Sequence, residues 1–268
     1  MQIAVCMKQV PAYSEGNMDE KTGVLIRSGL ENTVNVYDLA ALETALQVKE
    51  AIGGTVTVFT MGPESAQTVL REAFARGADC GCLICDKAFA GADVLATSYT
   101  LMQALRSQGS FDLIFCGRQT TDGDTAQVSG ELAQWMEIPH CNWISKVEEI
   151  REDGIVFWQQ TERVQRKMEA SYPCLLSVEK TSVTPRMPSL KLKIAGKKKP
   201  IIWIKLEDLE DQNPNHYGLK GSATRVKKIF PPERVQRQMV RQMDGDEAAA
   251  YIAEILDTYQ KTRRTQHG

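Results

Sequence analysis

The sequence predicts an α/β fold: an open, doubly wound, mainly parallel sheet with an added antiparallel meander and a C-terminal helical arm. Three observations predict it. From Gln2 to Cys116, short and almost wholly apolar runs alternate with helix-patterned segments, as expected of strands covered on both faces and joined by crossover helices. From Asn142 to Val178, strand-patterned runs follow one another with no helix between them. Beyond Gln212 the chain is first rich in Asn, Pro and Gly and then amphipathic at helical spacing.

Gln2-Ile3-Ala4-Val5-Cys6-Met7 opens the fold as a buried strand, and residues 12–34, polar and punctuated by glycine, read as an excursion with a turn at Thr22-Gly23. Asp38 is the expected cap of a helix that carries Leu39, Leu42 and Leu46 on one face and ends at Gly53-Gly54, before a strand from Thr55 to Phe59. A helix from Glu64 to Arg76 closed by Gly77, a strand from Asp79 to Cys85, a helix from Ala92 to Ser107 and a strand from Phe111 to Cys116 continue the alternation. Parallel strands joined in this way take right-handed crossovers, which puts helices on both faces.

After the loop from Gly117 to Gly130, a helix is expected from Glu131 to Met136, ending before Pro139. Runs at 143–150, 155–164 and 167–178, with Asp153-Gly154 as a hairpin turn, read as a meander added to the same domain. Pro185 and Pro188 disfavour helix and central strand, and Lys197-Lys198-Lys199-Pro200 closes the stretch, so residues 184–200 read as an exposed loop with a basic end. A last extended piece spans 201–204, a linker 212–222, and helices are expected at 232–243 and 246–262, with Val240, Ile252 and Ile255 on apolar faces. The expected division is an α/β domain over 1–211 and a linker with an arm over 212–268.

Hydrophobic residues at 43% and charged residues at 25% are those of a soluble globular protein, and a net charge of −2 leaves no footprint for nucleic acid. No apolar run approaches the roughly 20 residues of a membrane span, and the first ten residues lack a signal-peptide layout. A cytoplasmic location is therefore expected. Seven cysteines, an odd number scattered through the strands, argue for a reducing compartment. Cys80, Cys82 and Cys85 have thiolate spacing of an iron–sulfur kind, but Cys85 points away from the other two in a strand, so buried structural thiols are preferred to a metal site. His140, His216 and His267 are a thin supply for catalysis, no catalytic residue is assigned, and the chemistry is expected to reside in a cofactor.

The centre of the functional reading is Gly117-Arg118-Gln119-Thr120-Thr121-Asp122-Gly123-Asp124-Thr125-Ala126-Gln127-Val128-Ser129-Gly130. It joins a buried strand to a helix, and such loops lie at the carboxyl edge of an α/β sheet, where small polar residues and free helix N–H groups suit a phosphate. The plain alternative is that Asp122 or Asp124 only caps the helix.

Gly-Arg-Gln-x-x-Asp-Gly-Asp-Thr-Ala-Gln-Val resembles the nucleotide-binding loop of electron-transfer flavoprotein beta subunits, in particular of the electron-bifurcating branch. Val5-Cys6-Met7-Lys8-Gln9-Val10-Pro11, Met61-Gly62-Pro63, Arg76-Gly77-Ala78-Asp79 and the run from Phe89 to Ser98 support the resemblance over roughly residues 1–200. Relatives usually carry Gly-Pro where this chain has Ser129-Gly130. The resemblance implies FAD, or AMP in non-bifurcating members, held through Asp124, Thr125, Ala126, Gln127 and Val128, with Cys6, Asn35 and Met61 lining the adenosine part. Asp93 and Thr97 are implied as weaker flavin or NADH contacts, with helix capping as the plain role of Asp93. The segment from Pro185 to the lysine run would dock on an acyl-CoA or similar dehydrogenase with Leu190 as its apolar anchor, although the lysines read alone are a solvated face. The other implied partners are an alpha subunit under the C-terminal arm, NADH as electron donor, and ferredoxin or flavodoxin as acceptor.

Overall fold

The computed structural model describes residues 1–12, 32–225 and 242–266. Strand β1 (Gln2–Cys6) is followed by two short strands, β2 (Gln9–Pro11) and β3 (Asn32–Val34), which pair antiparallel with each other. Most of the expected excursion, residues 13–31, lies outside the described part. Then come α1 (Val36–Ile52), β4 (Thr55–Met61), α2 (Gln67–Arg76), β5 (Cys80–Ile84), α3 (Val94–Ser107), β6 (Leu113–Gly117) and α4 (Val128–Met136). The second half supplies β7 (His140–Ile150), β8 (Gly154–Gln160), β9 (Gln165–Ser171), β10 (Cys174–Val178), α5 (Leu190–Gly196), β11 (Ile202–Ile204), α6 (Gly218–Gly221) and α7 (Gly245–Gln266).

The main sheet has nine strands in the order β11-β5-β4-β1-β6-β10-β7-β8-β9, parallel except for the antiparallel pairs β7–β8 and β8–β9. Alternation along each strand divides the core in two. Ile3, Val5, Val56, Val58, Leu113 and Phe115 face α1 and α2, whereas Ala4, Cys6, Phe59, Ile114 and Cys116 face α3 and α4. The chain steps outward from β1 through β4 to β5 and then returns to the other side of β1 with β6. That reversal makes the carboxyl ends of β1 and β6 the switch point, where open α/β sheets place their ligands.

The expected antiparallel meander is present as β7, β8 and β9, continuous with the main sheet. It is corrected in one respect: the expected run 167–178 is two strands separated by the cis peptide Tyr172–Pro173. Strand β9 is polar and largely exposed at the sheet edge, while the wholly buried β10 runs parallel between β6 and β7. Residues 184–200 are corrected as well, because they contain the helix α5. Both prolines precede its N-cap Ser189, where they stop nothing that follows. The expected linker 212–222 is fastened to the α/β unit: Tyr217 is fully buried, with its ring 5.4 Å from that of Phe89 and 5.5 Å from that of Tyr99.

The chain forms two compact units, Met1–Ile229 and Phe230–Gly268. The helix expected at 232–243, with Val240, falls largely outside the described residues, whereas α7 is the expected last helix and exposes Ile252, Ile255, Leu256 and Tyr259 at helical spacing. No helix among the described residues is long and apolar enough to cross a membrane.

Candidate functional site

Three segments meet at the switch point: the end of β1, the start of α1, and the loop between β6 and α4. Asn35 stands at the N-cap of α1 and is fully buried; its backbone N–H donates to the Lys8 carbonyl at 3.0 Å and its side-chain amide to the Gln119 carbonyl at 2.8 Å. Its Oδ1 is buried without a hydrogen-bond partner in the protein. Asp38 is not the cap expected from the sequence. It sits in the first turn, 4% exposed, and accepts the Lys8 N–H at 2.7 Å. Asn35 takes the N-cap position three residues upstream, without a side-chain cap bond, and so places Asp38 inside the first turn. Burial pushes the Asp38 carboxyl up to about 7, against the opposing hydrogen bonds of Lys8, Asn35 and the Gly117 backbone. A Cβ on Gly117 would lie 2.2 Å from Asp38 Oδ1, so only glycine lets β6 end this close to α1.

The loop is held from both ends. Lys8 reaches across to Asp122 at 2.7 Å, Asp124 N–H donates to the Thr120 carbonyl at 3.0 Å, and the Gln119 amide meets the Asp124 carboxylate. Arg118 pairs with Glu179 at 2.7 Å and stacks 4.6 Å from the Trp143 ring. Asp124 and Ala126 have φ of 53° and 54°, the left-handed region in which a side chain is strained. Helix α4 starts at Val128, three residues before the expected Glu131, and its first helical bond runs from Glu131 N–H to the Gln127 carbonyl at 3.1 Å. The N–H groups of Val128, Ser129 and Gly130 therefore precede any intrahelical acceptor and carry the positive end of the helix dipole. Ser129, 3% exposed, directs its hydroxyl to Asn142 Oδ1 at 3.3 Å, away from the loop.

The fold gathers most of the sequence-derived residues at this edge. Cys6 ends β1 in register with Cys116, Met61 ends β4, and Asp124, Thr125, Ala126, Gln127 and Val128 form the loop and the helix start. Asp93 is the N-cap of α3: its carboxylate accepts Ala96 N–H at 3.0 Å and both the N–H and hydroxyl of Thr224, at 2.8 and 2.9 Å. Thr97 lies in the first turn of that helix, and Ser98 beside it donates to Glu131 of α4 at 3.1 Å. The run is thereby tied to the loop's helix. Leu190 lies elsewhere, on α5, packed against α2. Cys82 is buried and its thiol pushed up to about 12 by burial, while Cys80 is exposed. Lys8, Arg118 and Gln119 lie in the motifs read from the sequence, but their bracing contacts, and Trp143 altogether, were not assigned there.

Switch point, strained loop and helix start define a doubly wound α/β protein whose carboxyl edge carries the free N–H groups of a helix start. The model of the electron transfer flavoprotein domain matches residues 22–209. The chain is 39% identical over 259 residues to the electron transfer flavoprotein subunit beta of Thermoanaerobacterium thermosaccharolyticum, covering 96% of this chain and 98% of the relative. It is 37% identical to the caffeyl-CoA reductase-Etf complex subunit CarD of Acetobacterium woodii, over 96% and 98% of the two chains. Protein FixA of Sinorhizobium fredii is also 37% identical, over 96% and 93%. This chain belongs to the electron-transfer flavoprotein family, among its beta subunits.

Proposed function

We propose that this chain is the beta subunit of a bifurcating electron-transfer flavoprotein. It would hold FAD at the carboxyl edge of β1, β4 and β6 and take hydride from NADH there. Electrons would then divide between ferredoxin or flavodoxin and, through an alpha subunit's FAD, an acyl-CoA or similar dehydrogenase. The observation that carries the reading is the loop from Gly117 to Gln127, strained at Asp124 and Ala126 and leading into an open helix start, with Asn35, whose Oδ1 is unpartnered, bonded to the loop at the Gln119 carbonyl. Those residues fit a dinucleotide. The N–H groups of Val128, Ser129 and Gly130 and the hydroxyl of Thr125 would take the diphosphate, and Asn35, Cys6 and Met61 would line the adenosine. Bound there, FAD supplies the redox chemistry, and the side chains supply position and electrostatics. Asp93 and Thr97 are the proposed wall for the nicotinamide.

Two further surfaces belong to the reading. Leu190, 73% exposed at the start of α5, is the proposed anchor for the dehydrogenase. The face of α7 with Ile252, Ile255, Leu256 and Tyr259 is the proposed seat of the alpha subunit. The test is the cofactor content of the purified heterodimer, read by absorption and by extraction of released nucleotides, together with stopped-flow reduction by NADH. Two flavins, one bleached rapidly by NADH, are expected. One flavin with AMP and no reaction with NADH defeats bifurcation and leaves an electron carrier with structural AMP.

A further inference from the structure

Residues 184–199 are gripped by charge at every turn. The Arg186 backbone N–H and Nε both donate to Glu43 Oε2, at 3.0 and 2.8 Å, and Nη2 donates to Glu43 Oε1 at 2.9 Å. The same guanidinium reaches Glu50 through Nη1 at 2.5 Å and Nη2 at 3.1 Å. Glu43 and Glu50 are seven residues apart on α1, two helical turns on one face. One planar guanidinium thus bridges two carboxylates, a geometry that a lysine ammonium does not reproduce.

The carbonyl of Arg186 accepts from Arg76 of α2, and Ser189 N–H donates to the Ala75 carbonyl at 2.8 Å. At the other end of α5, Arg71 donates to the carbonyls of Gly196 and Lys199 at 2.6 and 2.7 Å. Gly196 itself lies so close that a Cβ there would stand 2.9 Å from Phe74 Cβ. The outward side is apolar and unusually open: Met187 is 83% exposed, Leu190 73% and Ile194 58%, with the last two one helical turn apart. Lys191, Lys193, Lys197 and Lys198 flank them.

An exposed seven-residue helix has little stability of its own. Here its two ends are held by arginines on α1-facing and α2-facing sides, while its apolar tip is left to solvent. We propose that Arg186, bridging Glu43 and Glu50, is a positioning residue for partner docking: it presents Leu190, with Met187 and Ile194, as a preformed apolar edge to the dehydrogenase. The inference rests on the docking role proposed above for Leu190. Preforming the edge removes the cost of ordering it when the partner binds, so the clamp governs affinity for the partner and leaves turnover within the complex alone.

The test uses the assembled heterodimer with a purified acyl-CoA dehydrogenase as the varied partner. The variants are Arg186→Lys, which keeps a charge beside Glu43 but loses the fork, Glu50→Gln, which frees one exposed arm, Leu190→Ala, and the double variant Arg186→Lys/Leu190→Ala. Arg186→Lys is expected to raise the KM for the dehydrogenase roughly tenfold with kcat unchanged, and to speed tryptic cleavage at Lys191 and Lys193 of the free heterodimer. Glu50→Gln should act in the same direction with a smaller effect. The double variant should lose clearly less than the two single losses combined, because the clamp works through the edge that Leu190 dominates. An unchanged KM in Arg186→Lys beside a raised KM in Leu190→Ala overturns the clamp. Additive losses in the double variant overturn it too, since Arg186 would then touch the partner directly. An unchanged KM in Leu190→Ala instead defeats the docking role beneath it, and the inference falls with that reading.

Discussion

Helix α1 carries two buried acids five positions apart, and they end in opposite states. Asp38, 4% exposed, is met by backbone N–H groups at the carboxyl edge of β1 and β6, but burial dominates and pushes its carboxyl up to about 7. Glu43, 5% exposed, feels burial as well, but the hydrogen bonds and charge of Arg186 outweigh it and hold the carboxyl below the usual range. A buried acid whose few hydrogen bonds do not offset its desolvation titrates near neutrality, while one gripped by a forked guanidinium stays ionised. The carboxyl edge of β1 and β6 therefore contains a group able to change charge near neutral pH, and the crossover at Arg186 rests on one that keeps its charge.

The largest test of this contrast removes the ligand altogether. Thr125→Glu puts charge and bulk where a diphosphate would meet the start of α4, reversing the attraction of the helix N-terminus. The assembled heterodimer is expected to lose the beta-site nucleotide while keeping its affinity for the dehydrogenase; stoichiometric nucleotide in this variant sinks the anion assignment.

Next comes pH. Asp38 has a folded pKa raised above its unfolded value of 3.8 to about 7, so the native state binds more protons between those values, and stability falls as pH rises through that window. Asp38→Asn should flatten this part of the profile. Urea unfolding at pH 5 and pH 8 checks it, and an identical pH slope in variant and wild type counts against a buried titrating acid at this edge.

A smaller effect is expected from Leu190→Ala, about 2 kcal/mol, or roughly 30-fold, in coupling to the dehydrogenase. Cofactor content and melting temperature should stay unchanged. The smallest change sharpens the contrast between buried and exposed charge. The Lys8–Asp122 pair is open to solvent, its side chains 44% and 32% exposed, so Lys8→Met should cost less than about 1 kcal/mol of stability. A loss of several kcal/mol in thermal denaturation would place that pair among the buried ones.

Legibility in the sequence followed the range of the interactions. The parallel half was readable because Gln2–Cys6, Thr55–Met61 and Leu113–Gly117 are buried on both faces and announce it locally as apolar runs. The break between β9 and β10 was hidden, since Tyr172–Pro173 interrupts a stretch whose two halves both favour strand. Helix α5 was missed because its prolines were weighed as breakers, although each stands before Ser189. The place of residues 124–128, between a buried strand and a helix start, was legible through the apolar run before them. Their supports were not: Lys8 meets Asp122 across 114 positions and Arg186 meets Glu43 across 143, and no local pattern encodes such pairs.

Strand β10 lies inside the sheet and β11 at its far edge, so the segment between them crosses over α1 and α2 as a bridge pinned at both ends. Its footings belong to other elements: Glu43 and Glu50 to α1, Arg71 and Arg76 to α2. A chimera that exchanged only residues 185–196 between two relatives would carry over the apolar tip and leave its fastenings behind. On the docking role proposed for Leu190, the exchangeable cassette would comprise both helices with the crossover, and partner choice would move only with a surface assembled from all three.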